Sequence, residues 1–248
     1  MSFEHTALIA PLGAAGRADE IALRISEAIQ LGLLSDGEKL PPELDFAQQF
    51  GVSPVTLREA IATLRDRGLV ETRRGRHGGT FVRRLAEPDE APDVARLRDL
   101  SATELRDMFD EHGAVASMTA RLAAQRAASS NIRRIGSLAE QLGSETTRGA
   151  RMKADSRFHI EVAIATRSER LTRREVALQA EVASLLWISR LPESEIEDIG
   201  KEHRAIADCI AAENAEEAGR MAESHMRACM RRLAAMHLAL TSQTRRPT

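Results

Sequence analysis

The sequence has few cysteines and no long apolar run, and each shortage excludes a class of protein. Its two cysteines, Cys209 and Cys229, form neither a disulfide framework nor a CxxC metal knuckle, and both lie in helical patterns as small apolar residues. No stretch of about 18 apolar residues occurs, so no membrane span is expected. The first residues include Glu4 and lack the basic-then-apolar pattern of a secretion signal, so a cytoplasmic location is expected.

The sequence also lacks a large net charge, because its 248 residues carry a formal net charge of −2 at pH 7. Any nucleic acid would therefore have to be attracted by a local basic patch. Residues 65–84 contain such a patch, in which the arginines outnumber Asp66 and Glu71. These arginines are Arg65, Arg67, Arg73, Arg74, Arg76, Arg83 and Arg84. The length of the chain is sufficient for two domains with separate cores.

Residues 51–82 predict a helix followed by a hairpin, and they read GVSPVTLREAIATLRDRGLVETRRGRHGGTFV. Ser53 suits a helix N-cap and Pro54 the first helical position. The next apolar residues have the spacing of one buried helix face, and they are Leu57, Ala60, Ile61 and Leu64. Gly68 then ends the helix as a C-cap would.

The hairpin has two short strands, 69–73 and 80–83, on either side of a turn rich in arginine and glycine. A helix followed by such a wing is typical of a winged helix-turn-helix, whose target is double-stranded DNA. The helix fits the major groove, the arginines neutralise phosphates, and glycines let the backbone approach closely. The candidate DNA-binding residues are Ser53, Thr56, Arg58, Arg73, Arg74, Arg76 and Gly78. The alternative is a small α/β fold with an exposed basic hairpin.

Three helices and the wing account for residues 17–84, which we interpret as the DNA-binding domain. The short second helix is expected over residues 43–50, with Leu44, Ala47 and Phe50 in phase on its buried face.

Residues 85–100 combine prolines with acidic residues and predict a linker, with a short helical turn near 94–100. Ser101 and Glu104 then have the spacing of a capping box. Repeated apolar stripes over residues 101–240 predict a bundle of about six or seven helices. The fold is therefore expected to be mainly α, with an N-terminal winged helix-turn-helix and a C-terminal all-α bundle.

Four polar residues in the helical region have a pattern that suits a metal ion. Asp155 and His159 stand one helical turn apart, so they share a face. His203 and His225 each lie among apolar residues of later helices. One carboxylate and three imidazoles would suit Zn²⁺ or another divalent ion such as Ni²⁺ or Mn²⁺, with positions left for water or a ligand carboxylate. The alternative is a set of ordinary hydrogen-bonded core residues.

Residues 51–82 resemble the DNA-binding domain of the GntR family of bacterial transcription regulators, and residues 37–43 resemble that family's P-G-x-x-L-P-S-E motif. The helical region resembles the FCD ligand-binding domain of the FadR subfamily. The similar pieces are Glu104-Leu105-Arg106 with Phe109-Asp110, Asp155-x-x-Phe158-His159, Glu202-His203-Arg204-Ala205-Ile206, and His225. Together these resemblances cover about residues 17–238.

The resemblance implies a bacterial transcription regulator and not an enzyme. Such a regulator binds a palindromic operator as a homodimer and responds to a small organic acid. In metal-binding members the ligands occupy four positions that this chain retains, and they are Asp155, His159, His203 and His225. Arg106 is the candidate effector-binding residue, either as a pocket anchor for a carboxylate or as a surface residue of the first long helix.

The chain departs from the family pattern at several positions. Leu44 and Pro54 stand where many members have arginine or a similar polar residue, so a relative's operator sequence does not transfer to this chain. Asp110 replaces the usual glutamate, and Ser168 stands where asparagine is common. These two differences leave the shape of the pocket and the identity of the ligand open.

Two other functions are also compatible with the residues. A metal-dependent hydrolase would use metal-activated water. However, Glu161 and Glu202 are expected to point away from the ligands beside them, because helical neighbours one or two residues apart do not share a face. An architectural DNA-binding protein with a purely structural bundle is the second possibility. The fused DNA-binding domain favours sensing over catalysis.

Overall fold

The chain forms two units in the computed structural model, which describes residues 18–76, 78–83, 89–188 and 191–244. The first unit contains the described residues up to Arg83, and the second contains those from Asp89 onward. Parts of the sequence-based assignment lie outside the described residues, and they include Glu4, Arg17, His77, Arg84 and positions 85–88 and 189–190.

The described residues of the first unit form three helices and a two-stranded sheet, as the sequence predicted for a winged helix-turn-helix. They are α1 (Ala18–Gln30), α2 (Glu43–Phe50), α3 (Pro54–Asp66), β1 (Val70–Arg73) and β2 (Gly79–Val82). The strands pair antiparallel, with Val70 opposite Val82 and Arg73 opposite Gly79.

Helix α3 begins where the capping residues predict. The Oγ atom of Ser53 accepts a hydrogen bond from the backbone amide of Thr56 at 3.1 Å, and Pro54 occupies the first helical turn. The four predicted apolar residues of α3 are all buried, and they are Leu57, Ala60, Ile61 and Leu64. Burial of this face fixes which side of α3 remains exposed.

The connector between α1 and α2 supports the wing. The amide of Leu40 donates to the carbonyl of Thr80 at 2.8 Å, and the amide of Val82 donates to the carbonyl of Glu38 at 2.9 Å. These hydrogen bonds place the connector alongside β2, opposite β1. The hairpin is therefore held against the body of the unit on one edge.

The prediction for the short helix α2 was wrong at Leu44. Its side chain is 70% exposed, while Phe46 is buried with Ala47 and Phe50 in the core of the unit. Eight residues contain only about two helical turns, so two apolar phases were possible and the tertiary contacts of Phe46 select one.

Every described element of the second unit is a helix, which confirms the predicted bundle. The helices are α4 (Ala91–Asp99), α5 (Ala102–Arg126), α6 (Ser129–Ser144), α7 (Arg148–Ala165), α8 (Glu169–Leu186), α9 (Glu193–Ala211) and α10 (Ala215–Thr244). Among the described residues, no helix is both long enough and apolar enough to span a membrane.

Helix α4 occupies part of the segment interpreted as a linker. Leu97 on this helix is fully buried in the hydrophobic core of the second unit, so residues 91–99 pack as part of the bundle. The acidic residues and prolines of the segment concealed this single buried position. Ser101 and Glu104 form the predicted capping box at the start of α5.

Each unit has its own hydrophobic core. One cluster of buried residues includes Ile21, Phe50 and Leu64 of the first unit. A second, larger cluster includes Phe158 and Leu185 of the helical unit. The polar residues of the candidate metal site lie within the second core.

Candidate DNA-binding surface and metal centre

The exposed face of α3 carries three of the residues that the sequence assigned to DNA. Ser53 and Thr56 lie together at its start, with their hydroxyl oxygens 2.9 Å apart. The guanidinium Nε of Arg58 lies 3.5 Å from Oε2 of Glu43, and both side chains are exposed, so solvent screens this pair. Val55, which is 58% exposed, lies on the same face and was missed by the sequence analysis. Its apolar side chain suits contact with the methyl group of thymine.

The wing presents the three predicted arginines to solvent. Arg73, Arg74 and Arg76 are all exposed. Arg73 pairs with Glu71 at 2.6 Å, and its guanidinium lies 4.5 Å from the ring centroid of Phe81, so it is held against the sheet. Arg74 and Arg76 extend the positive surface beyond the strand ends. Such a surface suits a phosphate backbone.

Gly78 shapes the turn of the wing. Its amide donates to the carbonyl of Gly75 at 2.8 Å. A Cβ atom at position 78 would lie 2.5 Å from the carbonyl oxygen of Arg73 and 2.8 Å from that of Gly75, so no larger residue fits without a shift of the backbone. The contact of Gly78 with DNA stays a prediction.

Four side chains from three helices converge in the core of the second unit. Asp155 and His159 lie one turn apart on α7, His203 comes from α9, and His225 comes from α10. All four are buried, and one ligand atom of each lies within 4.8 Å of the others. The Nε2 atoms of His159 and His225 are 3.2 Å apart, and Nε2 of His203 is 3.4 Å from Oδ1 of Asp155. These separations suit atoms that each lie about 2.0–2.2 Å from one ion. The cluster could therefore bind a metal ion.

Neighbouring groups orient the ligand atoms. Nδ1 of His225 lies 2.6 Å from Oε2 of Glu202, an arrangement that turns Nε2 towards the cluster. The indole Nε1 of Trp187 donates to Oδ2 of Asp155, whose pKa is raised by burial. Neither ring nitrogen of the buried His203 has a hydrogen-bond partner among the described residues. An unpaired buried imidazole is costly, and coordination through Nε2 would remove much of that cost. The residues present therefore fit a metal ion.

The pKa values of the three imidazoles are shifted from the usual value in different directions. Burial lowers the pKa of His159 and of His203 well below the usual value, so both rings are neutral near pH 7. Burial also opposes charge on His225, but Cys229 and Glu202 outweigh this effect and raise its pKa to about 10. A metal ion that coordinated Nε2 of His225 would therefore have to compete with a proton for that imidazole.

A second group of buried polar side chains adjoins the cluster, and we call His112, Glu175 and Gln179 the polar triad. Each is at most 1% exposed. Nε2 of His112 lies 3.1 Å from Oε1 of Glu175, and Nε2 of Gln179 donates to the same oxygen at 3.0 Å. Although burial opposes ionisation, His112, His159 and Gln179 lower the pKa of Glu175 to about 2. The ring of His112 is 6.4 Å from that of His159, measured between centroids.

The structure decides the position of three other residues. Arg106 is on the surface, where its side chain is 60% exposed and pairs with Asp107 at 3.0 Å, so it does not face the buried cluster. The expectation that Glu202 points away from the ligands was wrong, because its carboxylate reaches His225 from the neighbouring helix. Glu161 instead contacts side chains of α6.

The sequence contains a signal for the polar triad. His112 lies in phase with Phe109 and Ala116 on the apolar face of α5, and Glu175 lies one turn before Gln179 on the apolar face of α8. Polar residues on a buried face require partners. However, the pattern within one helix does not show which residues of another helix supply those partners.

Comparison with known proteins gives a family match for each unit. The family described as bacterial regulatory proteins, gntR family, matches residues 17–82. The FCD domain family matches residues 107–228. Each match falls within one of the two structural units, and together they account for most of the described chain.

Individual relatives match most of the length of this chain. A protein of Mycobacterium gastri described as the HTH-type transcriptional regulator RmpR is 43% identical over 215 residues, which are 85% of this chain and 78% of the relative. A protein of Escherichia coli K12 described as an L-lactate dehydrogenase operon regulatory protein is 33% identical over 84% of this chain and 83% of its own length. The crystal structure of a GntR regulator from Rhodococcus sp. RHA1 has a TM-score of 0.51 at 19% identity, covers 88% of this chain and 97% of its own, and is similar in fold alone.

Proposed function

Because this chain belongs to the GntR family of bacterial regulatory proteins and contains an FCD domain, we propose that it is a regulator that binds a palindromic operator as a homodimer and senses a small carboxylate through a divalent metal ion. Members of this family regulate transcription, so the protein is a DNA-binding regulator and not an enzyme. A regulator of this kind acts on the chromosome, and we therefore place it in the cytoplasm.

Helix α3 enters the major groove in the proposed complex, and the wing follows the phosphate backbone. Arg58 and Val55 lie on the exposed face of α3 and would contact base edges there. The residues that would contact phosphates or hold the helix and wing against DNA are Ser53, Thr56, Arg73, Arg74, Arg76 and Gly78. The exposure of the arginines and the shape of the turn support this assignment.

A homodimer follows from the amount of DNA that one unit can read. A single recognition helix contacts only a few base pairs, which is too little to select one site in a genome. Two copies related by a two-fold axis double the contact and require a roughly palindromic operator.

The convergence of Asp155, His159, His203 and His225 is the observation that carries the proposed metal site. Three imidazole nitrogens and one carboxylate oxygen suit Zn²⁺, and Ni²⁺ or Mn²⁺ would also accept this set. The unpartnered nitrogens of His203 support it, since an ordinary core histidine is hydrogen-bonded. The ion would supply a positive charge that attracts the carboxylate of a small organic acid.

A continuous set of contacts leads from this site to α4. Trp187 donates to Asp155, and Nε of Arg148 donates to the carbonyl oxygen of Trp187. Nη2 of the same arginine donates to Oδ2 of Asp93 on α4 at 2.7 Å and to the carbonyl of Ser184 at 3.0 Å. Helix α4 is the first described helix that follows the DNA-binding unit in the chain. A ligand that shifts Asp155 would therefore act on α4.

Metal analysis is the direct test of the proposed site. Protein purified without chelator should contain about one divalent ion per chain, and His203→Ala should lower this content while the DNA-binding unit stays folded. If both the native metal content and the uptake of added Zn²⁺, Ni²⁺ or Mn²⁺ stay below about a tenth of an equivalent, the four residues are ordinary buried polar groups.

Operator binding tests the remainder of the proposal. DNA fragments selected by the full-length protein should share a palindromic sequence, and light scattering should give the mass of a dimer. Small carboxylates should change the operator affinity of the metal-loaded protein by about 5–150-fold, the usual range of allosteric coupling. A monomer mass with and without DNA would contradict the dimer.

A further inference from the structure

Each member of the polar triad has one buried polar atom without a partner among the described residues. These atoms are Nδ1 of His112, Oε2 of Glu175 and Oε1 of Gln179. The contacts within the triad use only the other polar atom of each side chain. Buried polar atoms without partners are rare in native proteins, because each loses its hydrogen bonds with water. Three of them in one group indicate a place built for a missing partner.

The triad lies within reach of the proposed metal site. The rings of His112 and His159 are 6.4 Å apart between centroids. A molecule with only a few heavy atoms would therefore reach from an ion at the four ligands to the triad. The missing partner and the proposed effector can be one molecule.

The hydrogen-bonding properties of the free atoms determine which chemical group of a ligand can bind to them. The free oxygens of Glu175 and Gln179 accept hydrogen bonds and cannot donate them. A second carboxylate on the ligand would face the negative charge of Glu175, which disfavours dicarboxylates. The free Nδ1 of His112 donates or accepts according to its protonation. A hydroxyl group donates its one hydrogen to one of these oxygens, and its lone pairs accept a hydrogen bond from Nδ1 of His112 when that nitrogen carries a hydrogen.

We propose that the polar triad binds the hydroxyl group of a small α-hydroxy carboxylate, whose carboxylate end binds the metal ion. The inference rests on the proposed function, because it assumes a metal-bound carboxylate effector at the four ligands. It adds the chemical class of that effector and names Glu175 as the residue that selects it. A carboxylate without a hydroxyl group would leave the buried acceptors unpaired and bind more weakly.

Matched ligand pairs test this selectivity. Calorimetric titrations of Zn²⁺-loaded full-length protein would compare glycolate with acetate and lactate with propionate, and malonate would serve as the dicarboxylate. Each hydroxy acid should bind at least about tenfold more tightly than its partner, because the hydroxyl group gains a hydrogen bond to a charged group. Malonate should show no such advantage.

Variants of α8 identify the residue responsible. Glu175→Gln should remove most of the preference for the hydroxy acid, and Gln179→Met should reduce it. Glu181→Gln is the matched control, because Glu181 lies on the same helix with an exposed side chain. Zinc content and circular dichroism of each variant would show that the fold and the metal site persist. If Glu175→Gln fails to fold, Gln179→Met and the ligand pairs in the unaltered protein still decide the question.

The possible results separate this inference from the proposed function. Equal affinity of the metal-loaded protein for glycolate and acetate would overturn the inference and leave the metal and carboxylate proposal intact. A preference for hydroxy acids that persists in Glu175→Gln and Gln179→Met would also overturn it. Tight binding of glycolate without any metal ion would contradict the metal site but support the triad. Failure of every carboxylate to bind would overturn both.

Discussion

The indole Nε1 of Trp187 lies 3.4 Å from Oδ2 of Asp155, so the single tryptophan of the sequence contacts one of the four proposed metal ligands. The tryptophan is buried and follows the last residue of α8, whereas Asp155 lies on α7. This hydrogen bond connects Asp155 with a residue whose fluorescence can be measured directly. It also places Trp187 between the proposed site and the contacts of Arg148.

Tryptophan emission should therefore report metal binding. The sequence contains no tyrosine, so emission from the chain comes from Trp187. Addition of Zn²⁺ to the metal-free protein should change the intensity or wavelength of this emission, because a bound cation is the largest charge in such a site. The change should saturate near one ion per chain. His203→Ala retains the tryptophan and should lose the response. Full zinc uptake with an unchanged spectrum would show that Trp187 does not sense the ion.

Metal binding should also release a proton. The pKa of His225 is about 10 in the metal-free site, and coordination requires the neutral ring, so uptake at about pH 8 should release about one proton per ion. Protons compete with the ion below pH 10, so the apparent metal affinity should fall by up to about tenfold per pH unit as the pH decreases towards about 5. Calorimetry in two buffers of different ionisation enthalpy counts the protons.

Glu202→Gln provides the control for this proton release. The change weakens the partner of Nδ1, so the pKa of His225 should fall and fewer protons should leave. Metal affinity that is the same at about pH 6 and about pH 8 would contradict the protonated state of His225.

Arg148 should carry the effect of the ligand to α4. Arg148→Met retains an apolar stem but removes the hydrogen bonds to Asp93 and to the backbone of residues 184 and 187. Metal and carboxylate binding should change little, whereas the effect of the carboxylate on operator affinity should fall towards none. Fluorescence anisotropy of labelled operator DNA, with and without the carboxylate, measures this coupling.

Arg151→Met is a matched control for the Arg148 substitution. Arg151 lies on the same helix and bonds to the carbonyl of Glu145 and the carboxylate of Glu193, away from α4. The control should keep the full ligand effect. Equal loss of the effect in both variants would indicate general loosening of α7 and would count against a specific route through Arg148.

Arg58 should contribute to operator selection. Arg58→Ala should weaken operator binding by about 1–3 kcal/mol if the side chain contacts a base, and it should relax the sequence preference at one position of each half-site. Arg76→Ala should weaken binding to all sequences and reduce the salt dependence, as expected for a phosphate contact. The exposed Arg173 of the helical unit gives a control, Arg173→Ala, which should bind DNA normally. Unchanged operator affinity of an Arg58→Ala, Arg76→Ala double variant would remove the basis for this DNA-binding surface.

The spacing of residues along the chain predicted those features of the structure that depend on contacts between sequence neighbours. Ser53 and Pro54 marked the start of α3, and the one-turn separation of Asp155 and His159 placed both on one face. The convergence of these two residues with His203 and His225 was an expectation that the fold bears out as geometry.

Contacts between helices could not be predicted from spacing. Glu202 was expected to point away because it stands next to a ligand, but its partner His225 lies on a different helix. Likewise, nothing in α5 alone indicates that His112 meets Glu175. The position of Arg106 was left open for the same reason, since the resemblance covered its motif but did not show which face of α5 it occupies.

The two separate hydrophobic cores have a consequence for how such a regulator can evolve. A substitution that repacks the core around Phe50 leaves the core around Phe158 unchanged, and the reverse also holds. Mutations that retarget the protein to a new promoter and mutations that retune it to a new metabolite therefore destabilise different units. Selection can explore the two kinds of change in either order, and a lineage can acquire a new effector without losing the genes that it already controls.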